Sequence, residues 1–170
     1  MLLYPSKVKK PASHSIPAFE KLIRHFVDTA KQNLLKHKSI TPYLFLLDGA
    51  PEEIHGLVIP YKVNSEEEKQ QLVQSAKRMA RENSTWGYIM VSEAWFLSSE
   101  VIPQGKLSRE ILPSKHPRRR EAVMVTLETR NYFRSVIIPF EQHGDHIKFG
   151  DEKTFGHEYS FESRFSEILR

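Results

Sequence analysis

Two stretches of the chain bring chemically capable side chains close together: Val91-Ser92-Glu93-Ala94-Trp95 and Pro113-Ser114-Lys115-His116-Pro117-Arg118-Arg119-Arg120-Glu121. A histidine beside carboxylates suits general base chemistry, so His116 with Glu93 or Glu121 to orient it is one candidate catalytic set. Ser92 or Ser114 as nucleophile would complete a small hydrolase. Such a set works only when a pocket holds the groups in contact, which spacing along the chain does not supply.

The same segments read differently as a binding surface. Between Lys106 and Arg120 stand six cations (Lys106, Arg109, Lys115, Arg118, Arg119 and Arg120) against Glu110 alone, so this stretch carries the chain's whole positive excess of +4. With Trp95, Phe96 and Tyr88 nearby as stacking faces, Arg109, Lys115, Arg118, Arg119 and Arg120 are candidate contacts for a polyanion such as single-stranded nucleic acid. An overall charge of +4 is small for a nucleic-acid binder, and arginines in such a loop also serve acidic groups of their own protein. A protein partner or self-association fits the same surface.

If residues 87–97 form a strand, Ile89, Val91, Glu93, Trp95 and Leu97 share one face and Tyr88, Met90, Ser92, Ala94 and Phe96 the other. Both faces are largely apolar, as expected of a central strand covered on each side. A carboxylate at Glu93 among such neighbours is costly unless paired, and an arginine from 118–120 is its natural partner. The other reading puts Glu93 in solvent.

A Trp-bearing strand followed by Pro-Ser-x-His-Pro-x-Arg-x-Glu resembles a pattern of small uncharacterised bacterial and phage proteins. The resemblance spans Val91 to Val125 and implies no activity, cofactor or partner. His143, Asp145 and His146, near Glu141, are weak candidates for metal ligands; Gly144 places them in a turn, where adjacent side chains seldom converge on one ion. The seven glycines match neither GxGxxG nor GxxxxGKS spacing, and neither HExxH nor GxSxG occurs. No cofactor is expected.

The elements that must position these residues follow from pattern. The 170 residues suit one domain of the usual size of about 100–200 residues. Without cysteine there can be no disulfide, thiolate metal site or thiol nucleophile. The N-terminus has the wrong charge order for a signal peptide, and no apolar run reaches the roughly 20 residues of a membrane helix. A soluble cytoplasmic protein without membrane contact is expected.

Residues 1–14 read as a loose arm. Ser15 and Pro17 open a helix with a stripe of Phe19, Leu22, Ile23, Phe26, Ala30 and Leu34. Tyr43–Leu47 and Ile54–Tyr61 read as a hairpin around Asp48-Gly49-Ala50-Pro51. Ser65 with Glu68 forms a capping box for a second helix with Leu72, Val73, Ala76, Met79 and Ala80 on its buried side. Strands follow at 87–97, 122–128 and 132–140, with a short edge strand at 146–149.

The order α-β-β-α-β-β-β predicts an α+β domain over 15–150, with a mostly antiparallel or mixed sheet of about five to six strands and both main helices packed on one face. Residues 151–170 read as an extension with a short terminal helix. The leading functional expectation is a non-catalytic binding or interaction module using the basic linker 98–121 and the Trp95 strand. A nucleic-acid accessory protein and a small hydrolase are the alternatives.

Overall fold

A computed structural model of the chain describes residues 15–50, 52–96, 117–156 and 166–169. Its elements in order are α1 (Ser15–His37), β1 (Tyr43–Leu47), β2 (Gly56–Pro60), α2 (Glu66–Glu82), β3 (Gly87–Phe96), β4 (Arg120–Thr129), β5 (Phe133–His143), β6 (His146–Phe149), β7 (Lys153–Phe155) and a 3-10 turn at Ser166–Leu169. The strands form one antiparallel sheet in the order β2-β1-β3-β4-β5-β6, with β7 also paired to β5. The α+β class and the element order are those expected from the sequence.

Local chemistry explains where the helices start and stop. The apolar positions of α1 recur at helical spacing, and Phe19, Leu22, Ile23, Phe26, Val27, Ala30 and Leu34 are all buried. Lys36 and His37 stand in the last turn, where positive charge complements the helix dipole, and Lys38 ends the helix with a left-handed backbone (φ 62°) and an N–H bonded to the Leu34 carbonyl at 2.8 Å. At the start of α2, the Ser65 hydroxyl accepts from the Glu68 amide (3.1 Å) while the Glu68 carboxylate reaches back to the Asn64 amide (2.6 Å).

The sheet separates two cores. On one face α1 packs against Leu47, Ile89, Val91, Val123, Val125, Leu127, Val136, Ile138 and Phe140. On the other, Val73, Ala76 and Ala80 of α2 meet Leu44, Leu46, Tyr88 and Met90, with Ile168 of the terminal turn. The helices therefore lie on opposite faces, which corrects the expectation of one shared face. The reason lies in β1 and β3. Leu44 and Leu46 point one way and Phe45 and Leu47 the other, as do Tyr88 and Met90 against Ile89 and Val91, so each face needs its own apolar cover. Chain direction agrees: β2 and β3 both run antiparallel to the intervening β1, so they are parallel to each other and the chain must cross the sheet between them. Helix α2 is that crossover.

Of the C-terminal residues, those of β7 join the sheet and Ile168 joins the α2-side core. β7 pairs Lys153, Thr154 and Phe155 with Ile137, Val136 and Ser135, and β6 pairs further along the same side of β5. Between the two lies Pro139, which has no N–H for the ladder; its carbonyl accepts from Gly150 at 2.8 Å. Among the described residues no helix is long and apolar enough to cross a membrane.

Candidate functional site

The candidate residues gather where β3 and β4 outrun their cover. Tyr88 to Val91 are buried, but from Ser92 onward exposure alternates and Glu93 and Trp95 are exposed. Cross-strand pairing sets Trp95 opposite Glu121 and Phe96 opposite Arg120. The turn before β4 then carries Arg119 back over Trp95, its guanidinium carbon 4.5 Å from the indole centroid. Trp95 is 42% exposed, and Arg118, Arg119 and Arg120 are exposed with it. A cation on an exposed indole contributes about 0.5–1 kcal/mol and fixes the orientation of both groups.

Phe96 points to the opposite face and carries its own cation, Lys153 of β7, with Nζ 5.5 Å from the ring centroid. Two consecutive aromatics are thus each topped by a positive charge, one from β4's leading turn and one from β7. The sequence marks Arg119 through its basic cluster but holds no local signal for Lys153, which reaches Phe96 only through the β5–β7 pairing.

Glu93 is exposed, not enclosed among apolar side chains. Its Oε1 accepts from the Ile40 backbone amide at 2.7 Å, so its described partner is the chain just beyond α1 and not an arginine. The cause is the position of Glu93 past the helix-covered half of β3.

Glu121 shares the Glu93 face, diagonal to it across the β3–β4 pair. Ser92 points to the other face, where it hydrogen-bonds Tyr61; burial first, opposed by that bond, pushes the Tyr61 phenol up to about 12. Ser92 and the two carboxylates therefore do not form one catalytic group. His116, Ser114, Lys106, Arg109 and Lys115 lie outside the described residues, as does the linker over 98–116.

The metal candidates stay apart chemically. His143 pairs with His146 across the β5–β6 turn, His143 Nε2 lies 3.5 Å from Glu141 Oε2, and the Asp145 backbone carbonyl accepts from Lys38 Nζ at 2.6 Å. Among the described residues no group of three or more His, Asp or Glu side chains is placed to hold a metal ion.

Elsewhere the polar contacts are structural clamps. The Glu20 carboxylate takes hydrogen bonds from Tyr132 and from Arg134 (Nε at 2.9 Å), tying α1 to β5. Glu152 binds Arg24 (2.8 Å) and Lys31 (2.5 Å) of the same helix. His55 pairs with Asp48 across the β1–β2 turn, and that hydrogen bond holds the imidazole above its ordinary value. Gln74, Lys77, Arg78, Arg81 and Glu82 line a shallow concavity on the outer face of α2.

Matched against family models, curated proteins and solved structures, the chain finds no counterpart in any of the three.

Proposed function

We propose that the protein is a non-catalytic binding module that recognises a protein segment bearing acidic residues, through Trp95 and Arg119, with Arg118 next in the chain and Arg120 on the opposite face across from Phe96. The basic linker 98–121 would extend this surface. The observation that supports the reading is the Arg119 guanidinium seated on an indole that is 42% exposed. Tryptophan and arginine are the residue types that most often dominate protein–protein binding energy. Trp95 stands at the end of β3 outside both cores, so an indole kept 42% exposed there adds little to packing.

The surrounding charge favours a protein over a nucleic acid. Glu121 lies directly across from Trp95 and Glu93 two positions back on the same face, so the arginines do not form an unbroken positive track. Mixed charges around an aromatic centre match the polar rim of a protein interface, whereas phosphate chains call for uninterrupted cations.

A photo-crosslinking amino acid at position 95, compared with one at Gln74 on α2 in the natural host cell, tests this. The expected result is a discrete adduct from position 95 only, lost in Arg119→Ala, whose purified partner binds the wild-type chain in calorimetry. Adducts identical from both positions would refute it. Salt-sensitive binding of a single-stranded oligonucleotide that depends on Arg118–Arg120 would instead assign the ridge to nucleic acid.

A further inference from the structure

We infer that β2 is a self-pairing edge: two copies of this chain join antiparallel through Val58 to continue the sheet across a two-fold axis. Among the described residues β2 is paired only on its β1 side. Its exposed side chains are apolar, with Val58 52% and Leu57 39% exposed. Natural edge strands usually carry charge, proline or a bulge that discourages pairing; Gly56-Leu57-Val58-Ile59-Pro60 carries no charge, and its one proline stands at the last position, where the edge can still offer a carbonyl.

The backbone fixes one register. The Tyr61 amide bonds to the Pro42 carbonyl (2.9 Å) and the Asp48 amide to the His55 carbonyl (3.2 Å), so His55, Leu57, Ile59 and Tyr61 turn their backbone groups toward β1. Antiparallel alternation then turns those of Gly56, Val58 and Pro60 to the open edge. Proline offers no N–H, so the donors of that edge are the Gly56 and Val58 amides. Placing Val58 opposite Val58 of a second copy satisfies all of them: the two Val58 residues exchange both bonds, and each Gly56 amide meets the other copy's Pro60 carbonyl.

Side chains agree with that register. Leu57 falls opposite the second copy's Ile59 on the α2 face, and the two Val58 side chains meet on the α1 face. Lys62, just past β2, comes to the end of the second copy's β2 next to the turn that bears Glu53, so opposite charges are brought near each other at both ends of the ribbon. A single strand pair buries less than the roughly 1,200–2,000 Å² of a stable interface, so the association is weak and reversible.

Sedimentation equilibrium of the full chain over a wide concentration range tests this, with two variants. Val58→Pro removes only an outward amide and is expected to keep the fold, by circular dichroism, while weakening association at least about tenfold. Because the chain has no cysteine, Val58→Cys reports the register directly: partnered Cα atoms at about 5.5 Å lie within disulfide range. A disulfide-linked dimer is expected under mild oxidation, much faster than from Leu35→Cys on exposed α1 surface. If Val58→Pro unfolds, the cysteine pair alone decides. The inference is overturned by a monomer at every concentration, by association that Val58→Pro leaves intact in the folded chain, or by equal crosslinking at 35 and 58. A monomer whose position 58 crosslinks to a different protein assigns the edge to a foreign strand, and likewise overturns it.

Discussion

The Glu93 carboxylate fastens the outer half of β3 to the chain beyond α1 by accepting the Ile40 amide at 2.7 Å. Ile40 belongs to the α1-side core, so this part-buried bond joins the exposed end of β3 to the packed layer. Glu93→Ala is expected to cost about 0.5–1.5 kcal/mol, the net worth of one hydrogen bond at a part-buried place. Glu93→Gln keeps an oxygen acceptor and is expected to cost less than about 1 kcal/mol. Urea unfolding midpoints of the two variants check this; equal losses would mean that the charge matters and the hydrogen bond does not.

Acid should loosen α1 from β5 and from the segment leading to β7. Burial raises the Glu20 and Glu152 carboxyls, but hydrogen bonds and charges from Tyr132 and Arg134, and from Lys31 and Arg24, outweigh it and hold both below the ordinary 4.5. A carboxylate lowered in the folded state contributes its stability fully above the unfolded value and loses it as pH falls through the folded one. Unfolding temperature is therefore expected to drop below about pH 4.5, by an amount worth roughly 0.5–1 kcal/mol per clamp after solvent screening. Glu20→Gln with Glu152→Gln should flatten that limb of the profile. An unchanged limb would remove both clamps from the account.

Base should act through phenols. Burial first, then the hydrogen bond to Glu20, pushes Tyr132 up to about 12, and burial pushes Tyr61 up to about 12. Unfolded tyrosine ionises near 10, so the folded chain retains protons that the unfolded chain sheds, and stability falls as pH rises from 10 toward 12. Phenolate absorbance should show Tyr61 and Tyr132, and by burial Tyr43, ionising later than tyrosine in the unfolded chain. Tyr132→Phe and Tyr61→Phe should each remove one late-ionising group.

Two glycines should respond to alanine for different reasons. A Cβ at Gly56 would stand 1.9 Å from the Leu46 carbonyl oxygen and 2.9 Å from the Phe45 ring, so backbone must move; a loss of about 2–3 kcal/mol is expected. Gly144 has open space around it but a φ of 60°, so alanine there meets only left-handed strain of about 1 kcal/mol. Denaturant unfolding of both variants ranks them, and the opposite order would contradict the close β1–β2 approach at Gly56.

Patterns that repeat along the chain were legible in the sequence. The α1 stripe, the Ser65–Glu68 cap, Tyr43–Leu47 and the two-sided β3 each follow from local spacing, and β3 already implied cover on both faces. What local spacing does not carry is how far that cover extends. The fate of Glu93 depends on where the helices stop shielding β3. β7 escaped notice because Lys153-Thr154-Phe155 is three residues long with one apolar side chain, and it exists as a strand only because β5 offers it a partner. Within the site, the Arg119–Trp95 contact follows from the β3–β4 register, while Lys153 over Phe96 requires the whole sheet order.

The two tryptophans allow the ridge to be read in solution before any partner is known. Trp86 is half-buried, stacks on Phe19 at 5.5 Å and donates its indole N–H to the Gly49 carbonyl at 2.6 Å. Trp95 is the more open of the pair and lies under Arg119, with Arg118 and Arg120 adjacent in the chain and Arg120 on the other face of the sheet. Iodide should therefore quench mainly Trp95, helped by local positive potential, whereas caesium should be repelled. Trp95→Phe should abolish most of the iodide-sensitive emission. Neutralising the cluster with Arg118→Gln, Arg119→Gln and Arg120→Gln should lower iodide quenching and raise caesium quenching, and added salt should shrink the difference between the ions, because exposed charges are screened beyond about 10 Å at 0.1 M. Equal quenching by the two ions in the wild-type chain at low salt would show that Glu93 and Glu121 cancel the arginines, and the ridge would then lack the positive field that an acidic partner needs.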